Sequence, residues 1–186
     1  MSFRAPLSEQ EIAEAELDLG IAFPVEYRSY LKRQSAGGPI ARLEKADRGW
    51  WWADNPWRRR ERLAVPFPHP DSYVEADEAL HARWPQVSDF VDDASYEAAL
   101  ATWVRERDAF DDHKTAGAII AQEHGCGFAT LFVLTGPLAG TFWWDGRATC
   151  DLILPLSRDH ADGAPPVTFE EWVLYGSWNL LPPGWG

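Results

Sequence analysis

The sequence predicts an α+β domain in which a mostly antiparallel sheet is flanked by helices from both ends of the chain. Three apolar runs follow one another in the second half, separated only by turn residues, so local antiparallel pairing is the simplest topology. A helix-starting pattern stands near each end, at residues 8–11 and 168–171. The 186 residues, 46% of them hydrophobic, suit one sizeable core, so a single domain over residues 1–186 is expected.

The run 128–135 predicts the central strand. Apart from two threonines it is apolar on both alternating faces, as in a strand that is covered on both sides. Two glycines and a proline in 135–141 then predict a reversal, and 142–144 an aromatic return strand. Asp145-Gly146 is a second turn signal, followed by an apolar run at 151–156. Three aromatic residues of these patterns and of the last helix are expected in the core: Phe132, Trp143 and Trp172.

Capping patterns predict the terminal helices. Ser8 with Glu11 forms a capping box, so a helix begins at Glu9, and Gly20 is placed to end it. Pro24 suits the first turn of a second helix with an inward stripe of Tyr27, Tyr30 and Leu31. At the far end, Thr168 with Glu171 repeats the capping box for a helix that buries Phe169, Trp172 and Val173.

Two further helices are expected in the middle of the chain. Asp71 is placed to cap a helix that runs to about Trp84, and Ser95 to cap another. The second helix has apolar residues at helical spacing, which predict a packed face: Ala99, Leu100, Trp103, Val104 and Phe110.

The formal charge of −12 is concentrated in this middle region, where residues 71–112 hold twelve acids and three bases. Such a surface repels nucleic acid and attracts basic proteins, mainly by accelerating encounter. The candidate partner-binding acids are Asp92, Asp93, Asp111 and Asp112. The alternative is that they belong to ordinary solvated helix faces, and this interpretation is favoured when charge is the only evidence.

Three consecutive tryptophans, Trp50, Trp51 and Trp52, are the second candidate for partner binding. On a strand the middle one faces opposite to its neighbours, so at least one is expected near the surface, where tryptophan is a preferred interface anchor. Four arginines follow, at 58, 59, 60 and 62. The chain's negative charge argues against a nucleic-acid patch and favours the alternative, in which the tryptophans cover the sheet and the arginines pair with the acidic middle region of the same chain.

Catalysis has one local candidate, the thiol of Cys126 two residues from His124, where the two side chains would point the same way on an extended strand. A structural cysteine beside strand-entry glycines is the favoured interpretation, so no catalytic residue is assigned. The histidine and cysteine spacing implies no metal, and no cofactor is expected. The absence of a signal-peptide core or a membrane-length apolar run leads us to expect a cytoplasmic protein without a membrane partner.

A family resemblance emerges from several of these segments together. Residues 19–31, followed by Gly37-Gly38, resemble the N-terminal signature of the SUKH superfamily: a Leu-Gly step, a proline, an acid-aromatic-arginine helix and a glycine pair. The Gly-x-Gly-aromatic strand with its Thr-Gly-Pro and Gly-x-x-Trp steps, over 125–143, and Phe169–Trp172 are similar to its central and closing motifs. Ala36 departs from the usual asparagine before the glycines.

The resemblance implies a protein-binding function without chemistry. SUKH proteins include a fungal regulator of cell-wall synthesis and many bacterial immunity proteins of polymorphic toxin systems. We therefore expect an immunity protein that binds and neutralises a cognate toxin domain. If that toxin is basic, the acidic residues 71–112 are the expected contact. The alternatives are a SUKH-type regulatory or scaffolding module that binds a cellular protein and, more weakly, a cysteine-dependent enzyme.

Overall fold

The computed structural model describes residues 5–161 and 163–185. Within them the fold is α+β, as predicted, with two antiparallel sheets. The helices are α1 (Glu9–Leu19), α2 (Val25–Arg33), α3 (Val74–Ala82), α4 (Asp93–Lys114) and α5 (Phe169–Tyr175). The strands are β1 (Leu43–Ala46), β2 (Gly49–Trp52), β3 (Ala118–Gly125), β4 (Phe128–Val133), β5 (Phe142–Asp145) and β6 (Ile153–Pro155).

The chain divides into two compact units. The second unit is Pro68–Thr115, which contains α3 and α4, and the first unit holds the described residues on either side of it in the sequence. The first unit contains both sheets and the terminal helices. The single domain expected over residues 1–186 stays a prediction.

The first unit is built on the four-stranded sheet β3-β4-β5-β6, in which β4 is central as predicted. Both faces of β4 are covered. Phe132 packs with the aromatic core that includes Phe142, Phe169 and Trp172, whereas Leu131 on the opposite face belongs to a smaller cluster. Phe132, Trp143 and Trp172 are 0%, 1% and 2% exposed, which confirms the predicted core.

One of the two neighbours of β4 is its hairpin partner β3, a strand that was not predicted from the sequence. Gly125 pairs with Phe128, leaving Cys126 and Gly127 as the turn. Both have positive φ, 51° and 83°, as a two-residue type I′ turn requires. A Cβ on Gly127 would also lie 2.8 Å from that of Ala148. Cys126 and Gly127 therefore make a tight hairpin turn, and Cys126 lies at its tip.

The terminal helices confirm the capping predictions. Ser8 and Glu11 form the capping box of α1, and Gly20 ends that helix in the left-handed conformation. Thr168 and Glu171 form the capping box of α5. The predicted stripe of α2, Tyr27, Tyr30 and Leu31, is buried.

The helices of the second unit start differently from the prediction. A 3-10 turn, Pro70–Tyr73, precedes α3, so Asp71 does not cap that helix. The cap of α4 is Asp92, not Ser95: its carboxylate accepts a 2.8 Å hydrogen bond from the Ser95 amide. An aspartate in extended conformation reaches the amide three residues on, which fixes the start of the helix.

The predicted packed face of α4 is much narrower than expected. Trp103 is its only buried apolar residue, and Val104 is 40% exposed. The other buried residue of α4 is the charged Lys114. Helical spacing shows which residues share a face, but whether that face is covered depends on the elements packed against it.

Candidate protein-binding surfaces

The three consecutive tryptophans are all buried, so the expectation that at least one lies near the surface is wrong. Trp50, Trp51 and Trp52 are 4%, 6% and 1% exposed. The reason is that both faces of β2 are covered. Trp52 donates a 2.8 Å hydrogen bond to the Tyr27 hydroxyl on one side, while Trp51 packs against Trp57 and donates to the Asn55 carbonyl.

Arg60 holds this tryptophan cluster in place. Its guanidinium donates to the Trp50 carbonyl at 2.7 Å and pairs with Asp18 at 3.0 Å, while it also lies over the Trp57 ring. The Asp18 carboxylate accepts a hydrogen bond from the Trp50 amide, and this bond lowers its pKa below the ordinary value. Arg60 therefore pairs with an acid of α1, not with the acidic middle region. A partner-binding role for the tryptophans stays a prediction, but almost none of their surface is accessible to a partner.

The four candidate acids lie in two pairs at opposite ends of α4. The helix has 22 residues, so its ends are roughly 30 Å apart. Asp92 and Asp93 lie at its N-terminal end, and Asp111 and Asp112 lie near its C-terminal end. The structure thus does not bring the four carboxylates together, although the sequence analysis treated them as one group.

Two of these acids have structural roles. Asp92 caps α4, and its hydrogen bonds from the Ser95 amide and hydroxyl lower its pKa. Asp111 accepts a 2.9 Å hydrogen bond from Arg107 and lies 3.2 Å from the buried ammonium of Lys114. Asp93 is exposed, whereas Asp112 is half-buried. Of the four, Asp93 is therefore the acid best placed to meet a partner.

Most acids of the second unit are exposed, and seven of the exposed ones were not among the candidates predicted from the sequence. Nine of its twelve acids are exposed: Asp71, Glu75, Glu78, Asp89, Asp92, Asp93, Glu97, Glu106 and Asp108. Its four bases are Arg83, Arg105, Arg107 and Lys114, so the formal charge of the unit is 4 − 12 = −8. Helical spacing could have shown which acids of α4 share a face, but the exposure of that face depends on the elements packed against the helix.

Three of these acids form what we name the acidic stripe: Asp93, Glu97 and Asp108. At about 100° per residue, they fall within roughly 60° of arc on one face of α4. Asp93 and Glu97 are four residues apart, a spacing at which like charges destabilise a helix. Asp93 and Glu97 therefore gain no helix stability from lying beside each other.

His124 and Cys126 do not form the thiol–imidazole pair that was weighed for catalysis. The His124 ring packs against both Trp144 and Trp178, and its Nε2 is 2.8 Å from the Thr130 hydroxyl. Burial lowers the pKa of this imidazole below 6.5. Cys126 is exposed on the hairpin tip, and no hydrogen bond joins it to His124 in the part of the chain that the structure describes.

The described residues contain neither a metal-binding cluster nor a helix that could cross a membrane. Among residues 5–161 and 163–185, no group of three or more His, Cys, Asp or Glu side chains is placed to hold a metal ion. Over the same residues, every helix is too short or too polar to span a bilayer.

Comparison with known proteins bears on the N-terminal part of the chain, from Pro6, just ahead of α1, to Phe90, within the segment that joins α3 to α4. Residues 6–90 match the SMI1 / KNR4 family (SUKH-1). The SUKH resemblance is thereby confirmed. Neither the curated proteins nor the solved structures give a match. The central Gly-x-Gly strand and the closing helix lie beyond the matched residues, so their likeness to the family rests on the motifs alone.

Proposed function

We propose that this SUKH protein is a non-catalytic binding module, an immunity protein that binds and neutralises a cognate toxin domain with a basic surface. The observation that carries the proposal is the charge of the second unit, −8 with nine exposed acids. The family match supports it, because the SUKH resemblance implies protein binding without chemistry.

A basic toxin suits this surface for an electrostatic reason. A nuclease attracts the phosphate backbone with lysines and arginines, so its active-site face carries positive potential. An acidic helical surface is complementary to that face and accelerates encounter, while it repels nucleic acid itself. The acidic stripe on α4 is the part of the surface that we assign to this steering.

The test uses a stripe variant, Asp93→Asn, Glu97→Gln and Asp108→Asn. Products of genes adjacent to this one are each co-purified with the wild-type chain, and association and dissociation rates are measured for any that binds. At low salt we expect the stripe variant to associate several-fold more slowly than the wild type. The difference should shrink as the salt rises, because a Debye length of about 8 Å at physiological ionic strength screens exposed charges.

The matched control removes three exposed acids from the first unit: Asp47→Asn, Glu61→Gln and Glu123→Gln. Both triple variants change the net charge by the same amount. Equal slowing in the two would mean that only total charge matters and that α4 is not the docking side. If no adjacent product binds, the immunity function is wrong, and a regulatory module that binds a cellular protein becomes the better interpretation.

A further inference from the structure

The second unit contains an open groove of about 680 Å³ between the end of α3, the segment after it and α4. Small residues of α4, Ala98, Ala99 and Thr102, line one side of it. Trp84 and Phe90 line it from the segment that joins the two helices. A groove of this size admits a long side chain and part of the backbone that presents it.

Trp84 is a partly exposed anchor within this groove. It is 46% exposed, although its ring packs edge-on against Trp103 with the centroids 4.4 Å apart. Trp103 is in turn fixed by a 2.8 Å hydrogen bond from its indole to the Leu80 carbonyl. The Trp84 ring therefore has a buried support, while about half of its surface stays open to a ligand. A supported, half-open tryptophan is typical of residues that dominate binding energy in protein interfaces.

The groove carries one negative charge that no cation among the described side chains pairs with. Arg83 and Glu106 lie 2.9 Å apart and offset each other. Asp89 pairs with no cation within the described residues; its carboxylate accepts only a 3.3 Å hydrogen bond from the Ser88 hydroxyl. The groove thus combines an open aromatic surface with an unbalanced carboxylate, in a unit of charge −8.

We propose that this groove receives an arginine side chain presented by a basic protein partner. A guanidinium stacks on an aromatic face and forms charge-assisted hydrogen bonds with a carboxylate, and it is more weakly hydrated than an ammonium. Trp84 supplies the face and Asp89 the carboxylate. The inference rests on the proposed function in that it names how the same partner is anchored, but it is tested without any toxin.

The test titrates the full-length chain, labelled with ¹⁵N, with N-acetyl-arginine amide and, separately, with N-acetyl-citrulline amide. Citrulline has the same shape but no charge. We expect saturable shifts of the Trp84 indole resonance and of the Ala98 and Thr102 amides with the arginine probe, with at least about fivefold weaker binding of citrulline. Shifts that do not saturate, or that are equal for the two probes, overturn the proposal.

Variants locate the site. Asp89→Asn should weaken the arginine probe several-fold, whereas Asp108→Asn, which removes the same charge outside the groove, should not. Trp84→Ala should abolish saturation, and Trp178→Ala is its control, since Trp178 is a 55% exposed tryptophan of the first unit. If Trp84→Ala unfolds the second unit, Ala98→Met tests the same site instead. It fills the groove from an exposed position and should weaken binding of the arginine probe. Unchanged probe affinity in Ala98→Met overturns the proposal.

The outcomes separate this inference from the proposed function. Saturable arginine binding in the groove without a toxin that binds the chain would retain the groove site and reject neutralisation. A toxin that binds the wild-type chain and Ala98→Met equally, together with no saturable probe binding, would retain neutralisation and reject the groove site.

Discussion

Lys114 is the residue on which we expect the stability of the second unit to depend most, and its replacement by methionine tests this. The side chain is fully buried, with Nζ 2.9 Å from Asp77 Oδ2 and 3.2 Å from Asp111 Oδ1. The same ammonium lies 5.0 Å from the centre of the Phe110 ring and 5.6 Å from that of Tyr73. One cation therefore joins α3, the turn before it and the end of α4.

The loss of stability expected for Lys114→Met depends on the interactions that Asp77 and Asp111 retain. Methionine keeps most of the apolar stem of Lys114 and removes the charge. Removing one partner of a buried ion pair costs ~3 to 5 kcal/mol, because the remaining charge is left uncompensated. Here Asp77 and Asp111 are 18% and 31% exposed, so water offsets part of the loss, and Asp111 also keeps Arg107. We expect about 3 kcal/mol, on the order of a hundredfold in the opening equilibrium.

Hydrogen exchange of the full chain measures this locally, because the amides of α4 report the opening of the second unit and those of β4 serve as an internal reference. The double variant Lys114→Met with Asp77→Leu removes the uncompensated carboxylate as well. We expect it to recover at least half of the lost protection, since a buried ion pair replaced by apolar residues is often nearly neutral.

Two results would refute the reasoning. Exchange in α4 of Lys114→Met within about threefold of the wild type would mean that the buried pair contributes little. A double variant that loses more protection than the single one would mean that Asp77 stabilises the unit through other contacts, which include the His81 ring nitrogen 3.6 Å away.

Three further predictions concern stability. Truncation of a core aromatic to alanine should lower the free energy of unfolding by ~3 to 5 kcal/mol in denaturant titrations, and unchanged midpoints would contradict the core assignment. The residues are Phe132, Trp143 and Trp172. Asp92→Ala should shorten or destabilise α4 by circular dichroism and hydrogen exchange more than Asp93→Ala, because only Asp92 caps the helix. Burial holds the pKa of His124 in the folded state below its ordinary value of 6.5, so the unfolded chain binds this proton more readily. Stability should therefore fall as the pH drops below about 6.5, and His124→Gln should remove that pH dependence.

The parts of the fold that were predicted correctly are those specified locally. A capping box needs only residues three positions apart, so the starts of α1 and α5 can be read from Ser8 and Thr168. The central strand β4 was also predicted, because apolar residues on both of its faces leave little alternative to burial on both sides. Its hairpin partner β3 was missed, since its second half, including Gln122 and Glu123, is polar and resembles a loop in sequence.

The errors arose where burial depends on distant residues. The strand geometry of Trp50–Trp52 was read correctly, but the covers on its two faces come from Tyr27 in α2 and from Trp57 in the segment after β2. Nothing within the tryptophan run indicates that both covers exist. For the four acids, the sequence indicated one group of equivalent residues. In the structure Asp92 caps α4, and Asp111 pairs with the buried Lys114. Replacing all four acids should therefore cost stability, through the lost cap of α4 and the lost partner of Lys114.

The second unit has a small hydrophobic core and a highly charged surface. Its buried hydrophobic residues are Leu80 and Trp103 alone, and its charge is −8. Exposed like charges do not stabilise a small unit, since they repel one another. The acidic residues of this unit are therefore better explained by binding to a partner than by a contribution to folding.

The groove and the acidic stripe lie on different sides of α4, since Thr102 and Asp108 are six residues, or about 120° around the helix, apart. A flat partner surface centred on one of them leaves the other at its edge or outside the contact, and kinetics distinguish their roles. Charges outside the contact act on association, whereas a buried anchor acts on dissociation. If the groove is the anchor, the stripe variant slows association only, and Trp84→Ala or Ala98→Met speeds dissociation. A stripe variant that also speeds dissociation, with Ala98→Met unchanged, would place the contact on the stripe itself.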